Sequence, residues 1–214
     1  MICLSLDMSS KKSGYSLFND KELLDFNVWE MSFEDEKDWR ERIRYMANKL
    51  NEYIKGHNVE FVYCEDVPPV LDNSQTVKIL SALQGCVISI CNINNIPIEF
   101  VSLGWKNDIG INLTHSKQCK DFQKKCKVEC PELLSKFKSA VKAVEKKMSV
   151  EYANKTYGLD LIWKSPTSKY NQDDIADSIN IATSQIKADV KKYDINTFEN
   201  ILDEILQNLV VKSL

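Results

Sequence analysis

"ICLSLDMSSKKSGYSLFNDKELLDFNVW", Ile2 to Trp29, decides the fold. Within it "ICLSLD", "SGYSLF" and "LLDFNVW" are short runs rich in Leu, Ile, Phe, Tyr and Val. Such runs, bounded by turn residues, read as strands. The "NDKE" stretch is a tight polar turn, too short for a crossover, so neighbouring runs must pair antiparallel. The chain therefore opens with a three-stranded meander, and its first strand ends on an acid, Asp7.

Downstream the pattern changes. "EDEKDWRERIRYMANKLNEYIKG" (Glu34–Gly56) reads as an amphipathic helix with acids in its first turn and Gly56 at its stop. "VEFVYCED" (Val59–Asp66) reads as a buried strand, again ending on acids. "NSQTVKILSALQGCVISICNINN" (Asn73–Asn95) reads as a helix capped by Asn73 or Ser74, and "PIEFVSL" (Pro97–Leu103) as a fifth strand. A strand–helix–strand–helix–strand series implies parallel pairing through right-handed crossovers. The predicted class is α/β: a five-stranded mixed sheet, three strands antiparallel and then two parallel, flanked by helices. Residues 112–157 read as lysine-rich helix and 158–171 as a loop. A helix follows from Asp173 to about Val190, and a last amphipathic helix starts at Asn196 or Thr197. The expected organisation is one domain over 1–190, with a basic helical insertion at about 112–157, and a helical extension over 191–214.

The 214 residues, 28% charged and 43% hydrophobic, have the balance of an ordinary globular chain. No apolar run is expected to approach a membrane span, and "MICLSLD" lacks the basic start of a signal peptide. Seven scattered cysteines, an odd number, suggest reduced thiols and a cytoplasmic location. The net charge is −3, yet Lys106 to Lys169 holds fourteen lysines against seven acids. A local basic region on an acidic chain can track phosphates; a solvated lysine-rich helix face is the plainer alternative.

The isolated acids form a pattern. Asp7 ends strand one, Glu65 ends strand four, and "NQDDIADSINIA" (Asn171–Ala182) places Asp173, Asp174 and Asp177 at a helix start. Strands one and four are neighbours in this topology, so Asp7 and Glu65 project from one sheet end. Asp174 and Asp177, at i and i+3, share a helix face. Carboxylates held close raise each other's pKa, and hard divalent cations relieve that repulsion. Two ions about 4 Å apart are a known device for phosphoryl transfer. Taken one at a time, Asp7 is also a turn starter, Glu65 a lysine partner, and Asp173 or Asp174 an N-cap.

Together these residues resemble the RuvC-type Holliday junction resolvases of the RNase H-like superfamily, most closely the phage and mobile-element variety. "LSLDMSSKKSGYSLF" is similar to the family's first motif through Asp7, Ser9 and Gly14. "VYCEDV" resembles its second acidic strand through Glu65, and "DDIADSINIA" its DxxDA element through Asp174 and Asp177. "KKMSVEYANKTYG" (Lys146–Gly158) resembles the basic helix leading to the last acids. Two stretches depart from the family. Its "DPG" opening is "DMS" here, and Val67, Pro68 and Pro69 stand where the bacterial enzymes carry an aromatic after the second acid.

The resemblance implies a structure-selective endonuclease with Asp7, Glu65, Asp174 and Asp177 as catalytic metal ligands and Asp173 as a possible additional acid. It implies Mg2+, with Mn2+ substituting, and two ions per site. It also implies phosphate contacts from Lys106, Lys146 and Lys147. The substrate would be branched DNA, four-way junctions or other branches such as flaps, nicked to leave 5′-phosphate and 3′-hydroxyl. A junction needs two cuts, hence a homodimer; the helix from Asn73, apolar on more than one face and carrying Gly85, suits a partner helix. The alternatives are a branched-DNA binder that does not cut, or another RNase H-like nuclease acting on flaps or RNA–DNA hybrids.

Two further patterns carry less. His115, Cys119, Cys126 and Cys130 have a zinc look. On one helix, however, Cys119 and Cys126 lie about 10 Å apart along the axis, and zinc needs its ligands within about 2.3 Å. Buried cysteines along one stripe fit better. The Asp7–Ser9–Gly14 opening also resembles the phosphate loop of actin-like kinases, but no second glycine-rich loop exists among six glycines. Trp105 is either core or a stacking platform, with core preferred.

Overall fold

The computed structural model describes residues 1–31, 36–67, 73–187 and 192–193. Five strands form one sheet: β1 Ile2–Asp7, β2 Lys12–Asn19, β3 Glu22–Glu30, β4 Phe61–Glu65 and β5 Ile98–Val101, in the order β3-β2-β1-β4-β5. β1–β2 and β2–β3 are antiparallel, and β1–β4 and β4–β5 are parallel. The expected mixed sheet is present, and β1 ends where it was placed.

Alternation sets the two faces. Leu4, Leu6, Tyr15, Leu17, Val62 and Cys64 point to one side. There they pack with α1 (Trp39–His57) through Met46 and Leu50 and with α2 (Ser74–Ile93) through Leu83, Val87 and Cys91. Burial of these side chains, roughly 1.5–3 kcal/mol each, is the main force holding the two crossover helices to the sheet.

Both helix ends refine the sequence reading. Glu36, Lys37 and Asp38 are outside α1: Asp38 is its N-cap, accepting from the backbone N–H of Arg40 (2.9 Å), while Glu34 and Asp35 lie outside the described residues. Aspartate satisfies an orphan N–H better than it continues a helix. Gly56 does not end α1; Asn58, in the left-handed region at φ 50°, does. Asn73 caps α2 by accepting from Gln75 (2.9 Å) and Thr76 (3.3 Å). By length and composition α2 is apolar enough to cross a membrane, which corrects the expectation that no run approaches a span. Interspersed Ser, Thr and Asn disguise that balance; in the chain the helix lies between β4 and β5 of the sheet.

The described residues divide into two compact units. The first is the sheet with α1 and α2 and the described chain from Asp174 to Lys187. The second runs from Lys106 to Asp173 and includes Lys192 and Tyr193. A short helix, α3 (Trp105–Asp108), is followed by α4 (Lys117–Glu129) and α5 (Pro131–Tyr157), which pack through Phe122 and Phe137. Gly158 closes α5 at φ 66°. The last described helix, α6, is Asp173–Ile186. The helix expected from Asn196 or Thr197 lies outside the described residues.

Candidate active site

β1 delivers Asp7 to the end of the sheet, where it pairs with Gly14 of β2. The connection between them is braced by serines. Ser9 Oγ accepts from the N–H groups of Lys11 and Lys12 (both 3.2 Å), and Ser13 Oγ donates to the Ser9 carbonyl (2.6 Å). These short hydroxyl–backbone bonds close a turn that needs no glycine, which accounts for "DMSS" at this place.

Leu6 and Cys64 are register partners in the parallel β1–β4 pair, and both face the core against α1 and α2. Alternation therefore turns the next residues, Asp7 and Glu65, to the opposite face, on adjacent strands about 4.8 Å apart. Glu65 Oε1 accepts a hydrogen bond from Trp105 Nε1–H (2.9 Å). Trp105 is 1% exposed, so it is core, and its indole also fixes the direction of this carboxylate. Next to it the Cys64 thiol is held well above its ordinary pKa, first by burial and then by the negative charges of Glu65 and Asp7.

α6 reaches the same sheet end through Gly14. A Cβ at Gly14 would stand 1.8 Å from the backbone carbonyl oxygen of Asp174. The first turn of α6 thus rests directly on β2 opposite Asp7. Lys12, on the same β2 face as Gly14, places Nζ 3.0 Å from Asp174 Oδ2. Asp177 follows one turn later and is half-buried. Behind the acids, Ile175, Ala176, Ile179 and Ala182 are buried, so the helix is anchored by apolar contact.

Asp173 is placed differently. It is 7% exposed and its carboxylate is taken by the Lys146 ammonium from α5. Lys147 pairs with Glu151 (3.6 Å), and Lys106 lies in α3. All three lysines belong to the second unit. Cys119 and Cys126 are buried in α4, while His115 is exposed. Lys12 and the indole of Trp105 are the site groups that sequence reasoning missed. Their only signal was position, Lys12 two residues before Gly14 and Trp105 just past β5.

Asp7, Glu65, Asp174 and Asp177 offer only carboxylate oxygens, the donor set that hard divalent ions take. Among the described residues no three His, Cys, Asp or Glu side chains stand close enough to enclose one ion. In donor type and in strand address the residues fit a divalent cation, with the Lys12 ammonium as the counter-charge that Asp174 has from the chain itself.

No protein-family model matches the chain, and no curated protein sequence matches it. Among solved structures the chain is similar to RuvC of Thermus thermophilus. A complex of that protein with a Holliday junction substrate superposes with TM-score 0.57 at 12% identity, covering 86% of this chain and 92% of that one. A further structure of Thermus thermophilus RuvC gives 0.54 at 14% identity with the same coverage. The strand order, the end-of-strand acids and this likeness agree: the chain is built on the RNase H-like fold of RuvC.

Proposed function

We propose that the chain is a divalent-metal-dependent endonuclease that resolves four-way junctions or other branched DNA, as a homodimer making paired nicks. The observation that carries this is the docking of Asp174 on Gly14, opposite Asp7 and beside the strand that ends on Glu65. It sets the start of α6 at the sheet end where β1 and β4 finish, on a fold shared with a protein whose structure holds a Holliday junction substrate. Asp7, Glu65, Asp174 and Asp177 are the ligands in this reading. Asp173, engaged by Lys146, is a supporting acid.

Divalent cations bound there supply charge neutralisation at the scissile phosphate and water of lowered pKa. The chain supplies the rest. Trp105 orients Glu65, Gly14 admits α6, and Lys106, Lys146 and Lys147 bind phosphates. Water adds to phosphorus and the 3′-oxygen leaves, giving 5′-phosphate and 3′-hydroxyl ends. Dimerisation through α2 is supported by its exposed strip of Ser81, Gly85, Ile88 and Asn92, which lies away from the buried Leu83, Val87 and Cys91.

The test is cleavage of labelled four-way junction, flap and linear duplex, with and without Mg2+, by the wild type and Asp7→Asn. Paired symmetric nicks on the junction, lost in the variant, are expected. Equal cutting of flaps makes it a general debranching nuclease. Tight junction binding without cutting under Mg2+ or Mn2+ overturns the enzyme reading in favour of a binder.

A further inference from the structure

The loop between α5 and α6 carries an aromatic side chain that packing does not use. Tyr170 is 59% exposed. Phe137 and Tyr152 of the same unit sit in the interior, Phe122 packs on Phe137, and Tyr157 and Trp163 are half-buried, so Tyr170 is more exposed than any of them. Two lysines attend the Tyr170 ring, Lys164 with Nζ 4.8 Å from its centroid and Lys169 at 5.4 Å. Neither lysine has an acidic partner among the described residues, and no Asp or Glu occurs between Leu161 and Gln172.

The loop is ordered by its own polar groups. Asn171 is buried; its Oδ1 accepts from Lys164 N–H (3.0 Å) and its Nδ2 donates to the Ser165 carbonyl (2.7 Å). Gln172 makes a two-way bridge to Ile162, accepting at Oε1 (2.8 Å) and donating its N–H (2.9 Å). Ser168 Oγ accepts from the Tyr170 N–H (3.2 Å). So the ring is presented on a braced turn, three residues before Asp173 and at most about 11 Å from it along the chain.

An exposed ring that gains only two surface cation–π contacts, about 0.5–1 kcal/mol each, has little structural reason to be there. An exposed ring flanked by unpaired ammonium groups is what a nucleotide needs. A base face stacks on the ring, and long lysine stems swing off it to the flanking phosphates. We propose that Tyr170, with Lys164 and Lys169, is a stacking contact for an unpaired nucleotide of branched DNA. It rests on the nuclease reading above and adds to it a contact that distinguishes opened from fully paired DNA.

Binding of the full chain in EDTA tests this apart from catalysis. The probes are a fluorescent oligo(dT) single strand, a four-way junction and a blunt duplex, against wild type, Tyr170→Ala, Tyr170→Phe and the double variant Lys164→Ala/Lys169→Ala. Tyr170→Ala should weaken the single strand and the junction roughly five- to hundredfold, leaving the duplex within about twofold. Tyr170→Phe should bind like wild type. The lysine variant should weaken single-strand binding and flatten its slope of log affinity against log salt by about 0.7 per lost contact. Single-strand and junction affinities unchanged in Tyr170→Ala, with wild type still cutting junctions under Mg2+, overturn this inference alone. Failure of wild type to bind any of the three DNAs overturns it together with the nuclease reading.

Discussion

The carbonyl of Asp174 lies where a side chain at position 14 would begin: a Cβ on Gly14 would be 1.8 Å from it. No rotamer escapes such a contact, because the obstacle is backbone on both sides. Gly14→Ala must therefore push the start of α6 off β2. Overpacking of this kind costs about 1–3 kcal/mol. The expected result is a lower urea midpoint with an unchanged slope, and cleavage reduced far beyond the loss of folded protein, because Asp174 no longer stands opposite Asp7. Urea unfolding and a junction-cleavage assay on the same preparation check it; full activity in Gly14→Ala would remove Asp174 from the site.

Asp173 and Asp174 separate cleanly by their partners. Asp174 is tied to Lys12 in the sheet unit, and Asp173 to Lys146 on α5. Asp174→Asn should lose cleavage by more than the 10–100-fold typical of a supporting residue while junction binding persists. Asp173→Asn should cut within about tenfold of wild type. Its ion pair is half-exposed on the lysine side, so the stability lost is modest, about 1 kcal/mol. The reverse pattern of rates would exchange their roles.

Why one of these acids was legible in sequence and the choice between them was not is a matter of scale. Asp7 and Glu65 could be read because strand alternation and strand ends are local: Leu6 and Cys64 face the core, so the next residues cannot. The sheet order followed from connection lengths in the same way. Asp173 and Asp174 are adjacent on one helix, and only the distant Gly14 and Lys146 decide between them. The start of α1 failed for a related reason, since an acid run serves equally as a first helical turn or as the cap before it. Lys12 and the Trp105 indole become site groups only through partners far along the chain, Asp174 and Glu65.

The Trp105–Glu65 hydrogen bond predicts a defect in metal affinity. Trp105→Phe keeps an aromatic ring in a position that is almost wholly buried but removes the donor to Oε1. A carboxylate ligand released from its orienting partner binds its ion roughly 10–100-fold less well. The Mg2+ concentration for half-maximal cleavage should rise accordingly, with the rate at saturating Mg2+ largely recovered. A purely structural role for Trp105 would instead lower the rate at every Mg2+ concentration without moving the midpoint.

Gly85 separates the fold from assembly. A Cβ at this position meets nothing within 4 Å, and the residue is exposed between Ser81 and Ile88 on the outer strip of α2. Within one chain Gly85→Arg is therefore harmless, and replacing a mid-helix glycine should stabilise α2 by up to about 1 kcal/mol. In a dimer packed through this strip the same arginine buries an unpaired charge against the partner, at a cost of about 3 kcal/mol or more. That is a hundredfold or greater weakening of self-association. Sedimentation should show the wild type as a dimer and Gly85→Arg as a monomer with an equal or higher melting temperature. On a four-way junction the variant should give isolated single nicks in place of paired cuts, because each monomer brings one set of acids. A variant that remains dimeric would show that α2 is not the contact and direct attention to another surface of the chain.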